Sequence, residues 1–251
     1  MRTNNDPLAG KTALVTGAAK RLGAATALAL ARQGANLILH YNTSAQHAAE
    51  LARQVRVLGV NAWTLSANLA DPHAAASLFP RAVDQAGPID FLINNAAVFP
   101  ENGLQDLTPD GLHGNINVNA LAPLLIARCF AAQRRPGAIV NFLDARIVDA
   151  DERHATYHLS KRMLFTLTRM MALEFAPAVR VNAVAPGLIL PPEGEDERYL
   201  ERLASTNPLG RFGSPEDVAE AVLFLLRSDF ITGQVIFIDG GRHLRGNMYG
   251  C

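Results

Sequence analysis

The sequence predicts an α/β chain folded as one doubly wound, seven-stranded parallel sheet with helices on both faces. Three observations carry that reading. Short apolar runs alternate with longer helical stretches along the whole chain. The first apolar run ends in a glycine turn that opens a helix, which is the strand–turn–helix context of a phosphate cradle. And 251 residues, 49% hydrophobic and 18% charged, suffice for one large core without requiring a second domain.

The elements follow in order. Residues 1–10 read as a frayed lead-in, 11–245 as the folded domain and 246–251 as a tail. Lys11–Thr16 is a short apolar strand, followed by the turn Gly17-Ala-Ala-Lys20-Arg21-Leu22-Gly23 and a helix to Gln33, closed by Gly34. Asn36–His40 is the second strand and Ser44–Leu58 a helix, with Ser44 as its natural cap. Asn61–Ser66 is a strand, and Asp71 caps a helix that has Pro72 at its first position. Phe91–Asn94 is a fully apolar strand ending in Asn94-Asn95-Ala96-Ala97. Gly111–Arg134 is helical, Ala138–Leu143 a strand, and the helix bearing Tyr157 and Lys161 leads to the strand Val179–Val184. The charged, proline-bearing stretch within 188–207 reads as a mobile flap over a substrate. Ser214-Pro215-Glu216-Asp217 starts a further helix, and Val235–Ile238 is the last strand.

Composition excludes several function classes. Lys plus Arg and Asp plus Glu number 23 each, so there is no basic footprint for nucleic acid or anionic lipid. No apolar run has the length of a membrane span and the start carries no signal-peptide pattern, so a soluble cytoplasmic protein is expected. The two cysteines, Cys129 and Cys251, offer neither a disulfide framework nor a metal spacing, and Cys129 reads as core.

Chemistry is concentrated in Tyr157-His-Leu-Ser-Lys161. A tyrosine and a lysine four apart share one helix face, so their polar ends can meet in one pocket. A lysine ammonium there is expected to favour the phenolate and lower the tyrosine pKa, which suits a proton donor. With four Tyr and three Lys in the chain, about 0.05 such pairs arise by chance. Taken alone, the pair is also compatible with an ordinary amphipathic helix carrying a surface lysine.

In order, Thr16-Gly17…Gly23, Asn94-Asn95-Ala96, Asn119, Tyr157-x-x-x-Lys161 and Pro186-Gly187 resemble the short-chain dehydrogenase/reductase family over nearly the whole chain. Finer features resemble the pteridine reductases and dihydromonapterin reductases within it. Arg21 stands where the wider family usually has its middle glycine. Leu39-His40-Tyr41 followed by Ser44 is similar, as is Phe99 just past the Asn-Asn-Ala turn. Asp144 stands thirteen residues before the tyrosine, where most of the family has serine, and the tail Asp239–Arg245 is also similar. The chain departs from the pattern at Ala97 for glycine, Asn68 for an adenine-contacting aspartate, Leu190 for threonine, and Asn42-Thr43 where an arginine follows the second strand.

The resemblance implies a set of roles. Tyr157 is the proton donor, Lys161 holds the nicotinamide ribose, Asn119 supports a relay water at a helix kink, and Asp144 completes the catalytic group. The cofactor would meet Gly17, Lys20, Arg21, Leu22, His40, Tyr41, Asn42, Thr43, Ser44, Asn68, Leu69, Asn95, Ala96, Ala97, Pro186, Gly187 and Leu188, together with Tyr157 and Lys161. Arg21, Phe99, Asp144 and Tyr157 would hold the substrate. The second strand ends without the carboxylate that a ribose 2′-hydroxyl requires, while Lys20 and Arg21 lie in the turn, so NADPH is the expected cofactor. His154, His158 and Asp151 are assigned no chemistry. Arg242 and Arg245 are tail charges that in a homotetramer can reach a neighbouring subunit's site. The expected activity is NADPH-dependent reduction of a pterin-like small molecule, dihydromonapterin-, dihydrobiopterin- or dihydrofolate-type. The alternatives are reduction of a 3-oxoacyl thioester or small ketone, and a protein that senses NADPH without turnover.

Overall fold

The computed structural model describes residues 8–245. Seven strands form one parallel sheet in the order β3-β2-β1-β4-β5-β6-β7. These are β1 (Thr12–Val15), β2 (Asn36–Tyr41), β3 (Ala62–Ser66), β4 (Phe91–Asn94), β5 (Gly137–Phe142), β6 (Val179–Pro186) and β7 (Val235–Ile238). Their near-continuous apolar character has a simple cause, since a parallel sheet covered on both faces buries successive side chains alternately into two cores. Along β1, Ala13 and Val15 enter one core and Leu14 the other.

The covering helices are α1 (Arg21–Arg32), α2 (Ala45–Val57), α3 (Pro72–Ala86), α4 (Pro109–Ile116), α5 (Ala122–Ala131), α6 (Ala155–Glu174), α7 (Glu197–Leu203) and α8 (Pro215–Arg227). Sequence signals set several of their starts. Asp71 accepts from the backbone N–H of His73, and Ser214 and Asp217 form a reciprocal capping box. Between α4 and α5 the helix widens into one π turn at Asn117–Leu121, the kink expected around Asn119.

Three expectations need correction. Leu8, placed in the frayed lead-in, is fully buried in the core around β1 and α8. Burying one isolated leucine outweighs the polar character of its neighbours. The flap carries the helix α7 and a 3-10 turn, Ala204–Thr206; Asp196 caps α7 through the N–H of Arg198, a start signal hidden in a charged run. Ser44 occupies the first cap position of α2, yet its side chain makes no capping bond. The lead-in residues 1–7 and the tail 246–251 lie outside the described residues.

The strand order reverses between β1 and β4. Chains leaving the carboxyl ends of these neighbours go to opposite faces and open a crevice there, the place where a doubly wound sheet accepts a ligand.

Candidate active site

One wall of the crevice is the turn from Gly17 to Gly23. Gly17 has φ +61°, and a Cβ there would stand 2.8 Å from the Cα of Ala96. At Gly23 a Cβ would lie 2.3 Å from the Gly17 carbonyl oxygen and 2.6 Å from Asn95 Nδ2, so the helix approaches the turn more closely than any side chain permits. Lys20 at the cap position of α1 offers no side-chain acceptor, so the first-turn N–H groups remain open to an anion. Arg21 is held at φ +54°, a conformation that favours glycine. Its guanidinium donates to the Pro191 carbonyl at 2.7 Å and so ties the turn to the start of the flap.

Neutral hydrogen bonds brace this turn from behind. Thr16 Oγ1 accepts from the backbone N–H of Asn95 and of Ala96, at 3.0 and 3.1 Å. Asn95 Nδ2 donates to the carbonyls of Thr16 and Gly17. His40 is expected from sequence at the cofactor, but its ring is 2% exposed and spans Gly17 and the end of β3. Its Nδ1 takes the Gly17 N–H at 3.1 Å and its Nε2 pairs with the Ala67 carbonyl at 3.1 Å. Burial lowers its pKa from 6.5 to about 4, so it is neutral and one tautomer satisfies both bonds. Leu69, a second expected cofactor contact, packs its side chain into the core beneath β3. Asn68 is exposed beside it and accepts from the Ala70 N–H. Tyr41 is half-buried, Asn42 and Thr43 are exposed, and Ser44 keeps its hydroxyl uncommitted to capping, so the end of β2 presents neutral donors and no carboxylate. These residues fit a dinucleotide with an extra phosphate.

The other wall belongs to α6 and the turn after β5. Tyr157 donates its hydroxyl proton to Asp144 Oδ2 at 2.9 Å, and the other carboxylate oxygen accepts the Arg146 N–H at 2.8 Å. Lys161 Nζ donates to the Phe142 carbonyl at 2.6 Å and lies 5.7 Å from the Tyr157 ring centroid. This reverses the expected titration. Burial, and then the neighbouring Asp144 carboxylate, hold the tyrosine well above its ordinary pKa, because a phenolate there would be both desolvated and beside a like charge. Burial instead moves Lys161 from 10.5 to about 8. In this arrangement the tyrosine is a neutral, fully protonated donor.

Asn119, fully buried in the π turn, exchanges hydrogen bonds with the backbone of Val98 and donates to Ser160 Oγ at 2.9 Å; Ser160 in turn donates to the Tyr157 carbonyl. It thereby fixes the loop after β4 against the first turn of α6. That loop delivers Phe99, 47% exposed, edge-on to Tyr157 at 4.4 Å between centroids. Ala97 is exposed on the same loop, while Pro186 at the end of β6 and Leu188 just past it are buried, with Gly187 half-buried between them.

A second cluster escaped the sequence reading. His154 stacks on Phe99 at 4.1 Å and 15°. Buried Asp151 takes an ion pair from Arg146 at 2.7 Å and bonds from His154. The Arg146 guanidinium stands 5.8 Å from the Phe99 ring centroid. Only the crowding of charged residues between 144 and 154 could have signalled it. Arg242 and Arg245 close the described chain near this group. Within this chain Arg242 is buried, and Arg245 donates to the carbonyls of Ser205 and Thr206 at the end of the flap.

With this geometry in view, residues 17–243 match the family model described as enoyl-(acyl carrier protein) reductase. The chain belongs to the short-chain dehydrogenase/reductase family. Within that family it is 34% identical to versicolorin reductase 1 of Aspergillus parasiticus over 258 aligned positions, covering 95% of this chain and 98% of the relative. It is 36% identical to L-xylulose reductase of Mesocricetus auratus, over 93% and 97% of the two chains. Among solved structures it resembles FolM alternative dihydrofolate reductase 1 from Brucella canis in complex with NADP. That match has a TM-score of 0.88 and 33% identity over 94% and 96% of the chains. The chain is therefore an oxidoreductase of the NADP-binding short-chain dehydrogenase/reductase family. Among the described residues no helix is long and apolar enough to cross a membrane.

Proposed function

We propose that this short-chain reductase uses NADPH to reduce a dihydropterin of the dihydromonapterin, dihydrobiopterin or dihydrofolate type to its tetrahydro form. The observation that carries the reading is the 2.9 Å hydrogen bond from Tyr157 to Asp144 beneath Phe99. A ketone reductase benefits from a hydroxyl that donates to the substrate oxygen. A carboxylate cannot donate, and it opposes negative charge growing on that oxygen. A pterin reverses the requirement: its amino and N–H edge presents donors to Asp144, and its ring nitrogen needs a proton.

The nicotinamide, when bound, supplies the hydride. Tyr157 holds its proton at Oη until the ring nitrogen accepts it. The negative charge left on Tyr157 would sit beside Asp144, and the Lys161 ammonium, 5.7 Å from the Tyr157 ring centroid, would compensate it. Asn119 keeps this group in register and, in the family pattern, supports the relay water. Phe99, backed by His154, offers a flat apolar face to the pterin. Arg21, already strained into a glycine conformation, anchors the flap and orients substrate and diphosphate. The FolM likeness supports the pterin reading.

Relatives at 31–36% identity support a second reading, reduction of a different small molecule such as a ketone or 3-oxoacyl thioester. NADPH oxidation with a panel of dihydropterins, dihydrofolate and carbonyls separates the two. Turnover confined to the pterins is expected. Turnover confined to carbonyls transfers the assignment to the second reading, and cofactor binding with no turnover makes the protein a sensor. NADPH should bind at least about tenfold, ~1.5 kcal/mol, more tightly than NADH, and equal titration affinities would contradict this. We also propose a homotetramer. Leu159, Met163, Met170 and Leu173 form one exposed apolar stripe on α6, a face suited to self-association and readable by light scattering.

A further inference from the structure

Arg242 is a buried charge that the catalytic group does not use. It opens the 3-10 turn Arg242–Arg245, which packs against the turn Ala145–Val148 that follows Asp144. The residue is 4% exposed, and its Nε has no hydrogen-bond partner among the described residues. Leaving a guanidinium donor buried and open is costly, so such a group usually awaits a partner.

The surroundings say which sign that partner carries. Burial and then the charge of Arg146 both work against the Arg242 cation, while Tyr199 on α7, Asp144 and Asp239 favour it. The nearby carboxylates are engaged: Asp239 with the N–H groups of Gly241 and His243 and with the His243 ring, Asp144 with Tyr157 and the Arg146 N–H. Arg146, which also pairs with Asp151, stands 5.8 Å from the Phe99 ring centroid, and Arg242 lies within electrostatic reach of Arg146, of Asp144 and of Tyr199 on the flap helix, so both cations border the catalytic group.

We propose that Arg242, with Arg146, forms a carboxylate-binding subsite, and that the substrate carries an anionic substituent there. The identity of the docked molecule rests on the dihydropterin reading; the subsite itself does not. A guanidinium is suited to this, since its fork matches a carboxylate in two parallel hydrogen bonds.

The test compares wild type with Arg242→Gln and Arg242→Lys. The kcat/KM ratio of dihydrofolate, whose tail bears carboxylates, to dihydrobiopterin, whose side chain is neutral, should fall about tenfold in Arg242→Gln. Arg242→Lys should restore part of it. In parallel, p-aminobenzoyl-glutamate should raise the melting temperature of NADPH-bound wild type, an effect weakened by salt and lost in Arg242→Gln. An unchanged ratio overturns the inference, and so does an equal thermal shift in both proteins. If Arg242→Gln does not fold, the Arg242→Lys ratio and the salt dependence of the wild-type shift decide in the same directions. If wild type reduces neither pterin, the dihydropterin reading fails, and the thermal shift still decides on the subsite.

Discussion

The two walls of the crevice are built on opposite principles. The turn Gly17–Gly23 is shaped by backbone and braced by neutral groups, Thr16, His40 and Asn95, whose hydrogen bonds are made within the protein. The wall carrying Asp144, Tyr157 and Lys161 is a set of coupled ionisable groups, two of them driven away from their ordinary pKa values by burial. The first wall is a preformed mould whose cost lies in packing, and the second stores a proton whose cost lies in charge. A change on the mould should therefore alter stability and cofactor affinity, and a change on the charged wall should alter rate and pH dependence.

The largest separation is expected at Tyr157→Phe. The ring stays against Phe99 and only the donor goes, so turnover should fall about 10³-fold with NADPH titration retained. Near-normal turnover would place the proton source elsewhere and dissolve the distinction between the walls.

Next is a pH effect that belongs to the mould. His40 has a folded pKa near 4 against 6.5 when unfolded, so between these values the unfolded chain takes up a proton that the folded one refuses. Stability should fall as pH drops from 6.5 towards 4, by about 3 kcal/mol from this group, and level off below. Denaturant melts across that window should show a shallower acid limb in His40→Asn. An unchanged limb would mean that the ring does not brace Gly17 as described.

A smaller effect is expected at Gly23→Ala. Its methyl would meet the Gly17 carbonyl and the Asn95 amide, forcing the turn apart at a cost of about 2 kcal/mol, seen together in melting temperature and NADPH affinity. A loss of kcat with normal affinity would put Gly23 on the wrong wall.

The sequence made the mould legible in outline and the charged wall legible in membership. Apolar runs of four to eight residues bounded by turn signals marked all seven strands, because a covered parallel sheet leaves that trace. Glycine spacing marked the turn, since close approach permits no other residue. Roles were harder. From sequence His40 and Asn95 read as cofactor contacts, and both bond the backbone of the turn, because whether a polar side chain faces a ligand or supports the backbone behind it depends on three-dimensional placement. The direction of the Tyr157 shift escapes the sequence because Lys161 is four residues away on the same helix, whereas the burial that dominates the shift and the Asp144 carboxylate that adds to it come only with folding. The Asp151–Arg146–His154 support of Phe99 has no spacing signature at all. Nor does the burial of Arg242, whose sequence context is that of an exposed tail.

The central claim is that Asp144 suits the site to a dihydropterin and handicaps a ketone. Its most direct measurement is the pH–rate profile of dihydropterin reduction by Asp144→Ser beside the parent, with a simple ketone as the control substrate. We expect dihydropterin turnover to fall by about 10²-fold, the alkaline limb to move to lower pH as the charge that raises Tyr157 and Lys161 is lost, and any ketone activity to rise. Dihydropterin reduction as fast as the parent's at every pH would contradict the account.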